Sequence, residues 1–192
     1  MVWVVGLVCG ASGVGKSQVA RGLAVRRGVP LGEVDDVVTA VRALTTAEQL
    51  PAVHAWGTRE FGGPAEIVAA HFGMCDALAP GLRAVIADHV EFGAAVVLEG
   101  DYLTPELAVG FGAAVRAVVV SEDPAQVVAN FAAREPAGGE QRERAAVGGL
   151  VQEELVRRAR RCGVPVVPAR PWHDGLDRAE AALRDGSVPA EQ

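Results

Sequence analysis

Residues 4–24 read VVGLVCGASGVGKSQVARGLA: an apolar run, a glycine-rich octet, then Val19, Ala20, Leu23 and Ala24 on adjoining faces at helical spacing. An unbroken apolar run over residues 2–9 is what a strand buried on both faces of a parallel sheet requires. The octet GASGVGKS, residues 10–17, fits GxxxxGKS without a gap and lies between strand and helix, the context that gives the pattern its meaning. Gly10, Gly13 and Gly15 let the backbone curl. The N–H groups of Gly10, Ala11, Ser12, Gly13, Val14, Gly15, Lys16 and Ser17 are then expected to converge on one anion, helped by the helix N-terminus.

Of the 18 Lys and Arg residues, Lys16 is the sole lysine, so arginine serves wherever any positive charge suffices. Position 16 asks for something else. A compact ammonium on a flexible stem can follow a moving phosphoryl group, whereas a planar guanidinium crowds the loop. The loop is expected to hold the phosphates of a nucleotide, with Ser17 as a ligand of Mg2+.

Outward from this stretch, strand and helix alternate. VPLGEV, residues 29–34, reads as a short strand, and DDVVTAVRAL as a helix entered through an aspartate cap. Residues 45–93 are Ala-rich and helical, with breaks expected at GTREFGGP and APG. AAVVLEG, VRAVVVS and VPVVPA supply three more strands, and DPAQVVANFAAR a helix with Asp123 as cap and Pro124 in the first turn. TPELAVGF reads as a short helix capped by Thr104. The alternation predicts an α/β fold with a parallel sheet between two helical layers and a site at the C-terminal ends of the strands. One domain is expected over residues 1–186, with residues 45–93 on the acceptor side, a lid at 134–150 and a loose tail at 187–192.

Several acids stand where such a site needs them. Asp35 and Asp36 follow the second strand: Asp36 has the better claim to a capping role, Asp35 to the base that aligns an acceptor hydroxyl. Glu99 and Asp101 flank Gly100 at the end of the third strand, as metal-binding acids or as a structural carboxylate pair. Arg134, Arg142 and Arg144 border EPAGGEQ, either as lid arginines reaching the phosphates or as solvated partners of nearby glutamates. Arg134 leads among them as a catalytic candidate, and Arg142 is a nucleotide-binding one. His54, Trp56 and His71 fall where an acceptor pocket is expected, although core packing is the common fate of such residues. Arg170 to Trp172 are placed at the border of the adenine.

Composition narrows the partners. A formal net charge of −6 argues against affinity for nucleic acid or anionic lipid. No uncharged apolar run reaches the roughly 18–20 residues of a membrane span. The opening MVWVVGLVCG lacks a basic leader and runs into the glycine loop, so a cytoplasmic location is expected. Cys9, Cys75 and Cys162 are widely separated and read as reduced thiols.

The chain resembles the P-loop small-molecule kinases, nearest to 2-phosphoglycerate kinase-like proteins and more distantly to chloramphenicol phosphotransferases and zeta-type toxins. The likeness is carried by GASGVGKS, by VDDVVTAVR, by LEGDYLTPE, similar to that family's EGxxLxP, and by VPVVPARPW. It implies a five-stranded sheet in the order 2-3-1-4-5, ATP with Mg2+, and phosphoryl transfer to a small hydroxyl compound. It also implies Asp35 as the acceptor-side acid, at the Asp of the family's TDS and VDS patterns. Val38 stands where the family often has an arginine, so the likeness speaks for the reaction rather than the substrate. In residues 45–93 only Arg59 and Arg83 are available for a second phosphate, which favours a metabolite or antibiotic acceptor over a nucleotide. The rival reading is a nucleotide-dependent regulatory ATPase or switch that binds a protein.

Overall fold

The computed structural model describes residues 3–56 and 60–186. Five parallel strands, β1 (Val5–Cys9), β2 (Leu31–Glu33), β3 (Val96–Gly100), β4 (Val115–Ser121) and β5 (Val166–Pro168), form one sheet in the order β2-β3-β1-β4-β5. Every residue of β1 and β3 is buried, as their continuous apolar sequences demand. The edge strands β2 and β5 are three residues long and more exposed.

Seven helices cover the sheet: α1 (Lys16–Arg27), α2 (Val34–Leu44), α3 (Pro51–His54), α4 (Pro64–Glu91), α5 (Pro124–Arg134), α6 (Arg142–Cys162) and α7 (Trp172–Asp185). Helices α1 and α7 pack together on one face, while α4 and α6 pack on each other across the opposite face, with α5 against α6. The core between them is aliphatic: Leu7, Leu23, Leu82, Ile86, Val118 and Leu155 are each at most 1% exposed. Helix α1 ends as its sequence predicts, on Gly28 at φ 63, whose N–H reaches the Ala24 and Val25 carbonyls. Asp123 caps α5 by accepting from the Ala125 N–H at 2.9 Å. All three cysteines are free, and no helix among the described residues is long and apolar enough to cross a membrane.

The structure departs from the sequence reading in five places. Helix α4 runs 28 residues straight through Pro80, where APG was expected to break it. Buried Phe72, Met74, Cys75 and Leu78 before the proline, and Leu82 and Ile86 after it, anchor both halves to the same core, so packing overrides the local breaker. Helix α2 begins at Val34 with Glu33 at its N-cap and no side-chain cap bond, so Asp35 and Asp36 occupy the first turn and neither caps it. Thr104 likewise makes no side-chain cap bond, and the segment after it is only a 3-10 turn, Pro105–Ala108. The predicted loop at 134–150 shrinks to residues 135–141, because α6 already starts at Arg142 and carries Gly148 and Gly149 within it. Finally, α7 was not foreseen; its Ala179 and Leu183 are buried at helical spacing. Residues 187–192, read as a loose tail, and Arg59 lie outside the described residues.

Proline inside a helix removes one hydrogen bond and crowds the carbonyl one turn back. Pro80→Ala is therefore expected to stabilise the protein by about 1–3 kcal/mol, read as a higher urea midpoint with an unchanged slope; an unchanged midpoint would mean that α4 has adapted fully to the ring.

Candidate active site

Strand register assembles the site. Cys9 lies beside Gly100 in the sheet, so the loop that follows β1 and Asp101, which follows β3, leave the same edge as neighbours. Glu33 pairs with Glu99 in register, which brings the first turn of α2 to that edge as well. Gly100 has to be glycine: a Cβ there would stand 2.7 Å from Cβ of Val34. The close approach sets the start of α2, and with it Asp35, against the end of β3.

Within the loop, Gly13 and Gly15 have φ values of 84° and 89°, and each is backed by an aromatic ring. A Cβ at Gly13 would meet Phe131 of α5 at 2.9 Å, and one at Gly15 would collide with Trp172 of α7. The Asn130 side chain donates to the Gly13 carbonyl at 2.8 Å. The backbone curl is thus held from behind, with its N–H groups left for a ligand.

The charged groups sort into two pairs. Lys16, only 8% exposed, forms an ion pair with Asp101. Ser17 stands beside the carboxyl of Glu99. Glu99 is 6% exposed and its Oε2 has no hydrogen-bond partner. Burial pushes its pKa up, with the Lys16 charge and Ser17 opposing. Partial desolvation in the cleft, reinforced by the charge of Asp101, also raises the pKa of Asp35, against the pull of Lys16. Asp36 instead borders a groove with Val85 and His89 on another part of the surface. Asp35, itself exposed, stands within electrostatic reach of Lys16 and Asp101.

Beside the loop lies a cavity of about 450 Å³, lined by Ser12, Asp101, Tyr102, His71 and Trp56, and by Glu143, Arg144, Val147 and Gly148 of α6. His71 and Tyr102 stack with centroids 5.3 Å apart. Burial lowers the His71 pKa and pushes that of Tyr102 up to about 12, so imidazole and phenol both stand neutral near pH 7. His54 is not at this wall; its Nε2 meets the Thr45 hydroxyl at 3.0 Å.

The arginines divide differently from the sequence reading. Arg144, not Arg142, lines the cavity. Arg142 donates to Glu140 at 2.5 Å and borders a separate groove with Pro124 and Ala125, because two residues of helical rotation set it on the side of α6 away from Arg144. Arg134 and Arg144 both stand over the Phe131 ring, at 5.2 and 4.4 Å, and both bind Glu135. Arg170 makes a 3.1 Å electrostatic contact with the buried Glu122 and lies over Trp172, so the structure uses it to brace the rear of the loop. Arg83 is likewise committed, donating to the Val109 carbonyl and stacking on Phe111. The sequence reading missed Asn130, Phe131 and Tyr102; Phe131 and Asn130 sit within a helix whose pattern marks them only as core and surface.

No protein-family model matches the chain. It is similar to a 2-phosphoglycerate kinase from Pyrococcus furiosus, 28% identical in an alignment of 176 positions that covers 84% of this chain and 57% of that protein. The chain thus spans less than two thirds of that relative. Among solved structures, it is similar to a gluconokinase from Sinorhizobium meliloti 1021, with a TM-score of 0.58 and 20% identity over 96% of this chain and 93% of the other. A shikimate kinase from Bacteroides thetaiotaomicron matches with a TM-score of 0.53 and 15% identity, over 95% of each chain. The likeness to these solved structures shows the fold alone, an α/β fold whose five parallel strands run in the observed order.

The raised pKa of Glu99 carries a stability consequence. Its carboxyl ionises less readily folded than unfolded, so ionisation disfavours the folded state above the ordinary value of 4.5, and the penalty fades as pH falls below it. Glu99→Gln is therefore expected to be more stable than the parent at pH 7, with the difference shrinking toward pH 4 in urea titrations. A difference that grows on acidification would reverse the assignment.

Proposed function

We propose that the chain is an ATP-dependent kinase that transfers a phosphoryl group to a hydroxyl of a small molecule. The observation that carries this reading is the open cavity adjoining the loop, with Ser12 and Asp101 in its wall, which offers an acceptor a place beside the phosphates. A regulatory switch has no need of such a space. The names of the similar proteins, a 2-phosphoglycerate kinase, a gluconokinase and a shikimate kinase, support the same class of reaction.

The residues fit Mg2+ and ATP. The unpartnered Oε2 of Glu99 lies in the same carboxyl group that meets Ser17, matching a site for a metal ion and its water. The braced loop offers its N–H groups to phosphate. When bound, Mg2+·ATP supplies the phosphoryl group and the positive charge that offsets it. Lys16 exchanges its ion pair with Asp101 for phosphate oxygens. Asp35, near both, aligns the acceptor hydroxyl and takes its proton. Asp101 is then released to face the bound cation.

Arg134 and residues 135–150 act as the closing segment. Glu135 holds Arg134 and Arg144 together, and its pKa is lowered by the Arg134 hydrogen bond first and the Gln141 bond next. Exchange of Glu135 for phosphate swings these guanidinium groups over the loop, where they neutralise developing charge. Proximity to the loop through Phe131 makes the movement short.

Transfer of label from ATP to a panel of hydroxylated metabolites and antibiotics, read by mass and radioactivity of the product, tests the activity itself. In that assay Lys16→Arg is expected to lose about a hundredfold or more although the charge is kept. Asp35→Asn is expected to fall by a similar factor with nearly unchanged ATP affinity. The acid limb of the parent's pH profile should lie above the value of an ordinary aspartate, the direction in which burial shifts Asp35, and vanish in Asp35→Asn. Hydrogen exchange with an unreactive ATP analogue should protect residues 134–150 together with 10–17; protection of the loop alone would assign the arginines to solvated surface.

A further inference from the structure

The polar and charged groups around the cavity do not suit an anion. Among the described residues its wall has one guanidinium, Arg144, bonded to Glu135 at 2.9 Å and to Gln141 at 2.8 Å, and on closure that group goes to the phosphates of the nucleotide and not to an acceptor. Lys16 is committed to the phosphate loop and to Asp101. Two carboxylates, Asp101 and Glu143, stand in the wall itself. A carboxylate or phosphate placed there meets like charge and loses its water without a free partner.

What the cavity does offer is aromatic and aliphatic surface with a few unsatisfied polar atoms. Trp56, braced by Phe61 at 5.1 Å, and the stacked His71 and Tyr102 give it three flat rings, with Ile67, Val147 and Val151 between them. His71 is 8% exposed, and its Nε2 has no hydrogen-bond partner. The Asp101 backbone lies close to the same ring. In the neutral imidazole, Nε2 can exchange a hydrogen bond with a ligand hydroxyl in either direction. The Trp56 Nε1–H is also buried without a partner among the described residues. A buried imidazole nitrogen and a buried indole N–H left open in one apolar cavity are a recognition pattern for a ligand that fills both.

We propose that the acceptor is an uncharged hydroxy compound with a flat apolar body, its ring held among Trp56, His71 and Tyr102 and a hydroxyl hydrogen-bonded to Nε2 of His71. The proposal rests on the phosphotransfer reading and narrows it, away from anionic acceptors such as 2-phosphoglycerate. His71 is at the wall formed with Asp101, the residue that holds Lys16, so a hydroxyl bound there stands at the loop side of the cavity. Specificity follows from the unpaired atoms: an analogue without the hydroxyl leaves Nε2 buried and empty.

The test is equilibrium binding to the intact protein, saturated with Mg2+ and an unreactive ATP analogue, of two matched pairs of probes. Phenyl β-glucoside is set against phenyl β-glucuronide, and 1-phenyl-1,2-ethanediol against mandelate; each pair exchanges one CH2OH for a carboxylate. The neutral member of each pair is expected to bind at least tenfold more tightly, and 2-phosphoglycerate more weakly than either. His71→Leu and Trp56→Ala should each weaken the neutral probes about fivefold or more and leave analogue affinity unchanged, and His71→Gln, which keeps a hydrogen-bonding group, should recover part of the loss. Equal or tighter binding of an anionic member, tighter binding of 2-phosphoglycerate, or no binding of either neutral probe overturns the proposal. Because the readout is binding, it stands or falls apart from phosphoryl transfer, which the labelled-product assay reads on its own.

Discussion

A buried ammonium needs a counter-charge, and the pairing of Lys16 with Asp101 is the constraint around which this molecule is arranged. The lysine comes from the first turn of α1, the aspartate from the end of β3, and they meet only because β1 and β3 run parallel with Cys9 opposite Gly100. A slip of one residue would carry Asp101 to the other face of the sheet. The apolar strands that fix the register therefore fix the electrostatics too. The same pair explains how the chain tolerates its cradle without phosphate: a carboxylate occupies the role that phosphate oxygens take over.

The loop itself depends on material far away in sequence. Phe131 supports Gly13, Trp172 supports Gly15, and Asn130 holds the Gly13 carbonyl. Arg170 ties this support to Glu122 at the end of β4, with a 3.4 Å bond to Asn130. Nucleotide binding and the packing of α5 and α7 are thus one mechanical unit. Substitutions on the rear of these helices, remote from any ligand, act on the shape of the cradle.

The sheet and the phosphate loop were legible because their signals are local. A five-residue apolar strand, a fixed glycine spacing and a Gly28 helix stop each declare themselves within a few residues. The identity of Asp35 over Asp36 was legible in part, since position after a strand narrows it to two, and only helical rotation in the first turn of α2 separates them. Pro80 misled, because a local breaker says nothing about the buried residues on both sides that hold α4 together. Arg142 and Arg144 were inseparable for a similar reason: which one faces the loop depends on where α6 starts, and the glycines that suggested a longer loop lie inside the helix. The cavity's aromatic wall was beyond sequence reasoning altogether, since Trp56, His71 and Tyr102 come from three separate segments.

The outer edge of the sheet at β5 has its own meaning. Val167 faces inward, its neighbours Pro165 and Ala169 bonding β4 through the carbonyl of one and the N–H of the other, so alternation leaves Val166 and Pro168 facing out. Proline has no N–H to give. Within β5 that edge therefore offers a single outward donor, at Val166, and a strand from another molecule gains almost no ladder by docking there. The sheet is closed to growth at this end by one missing hydrogen, which guards a strongly apolar, β-branched core sequence against pairing edge to edge with its own copies.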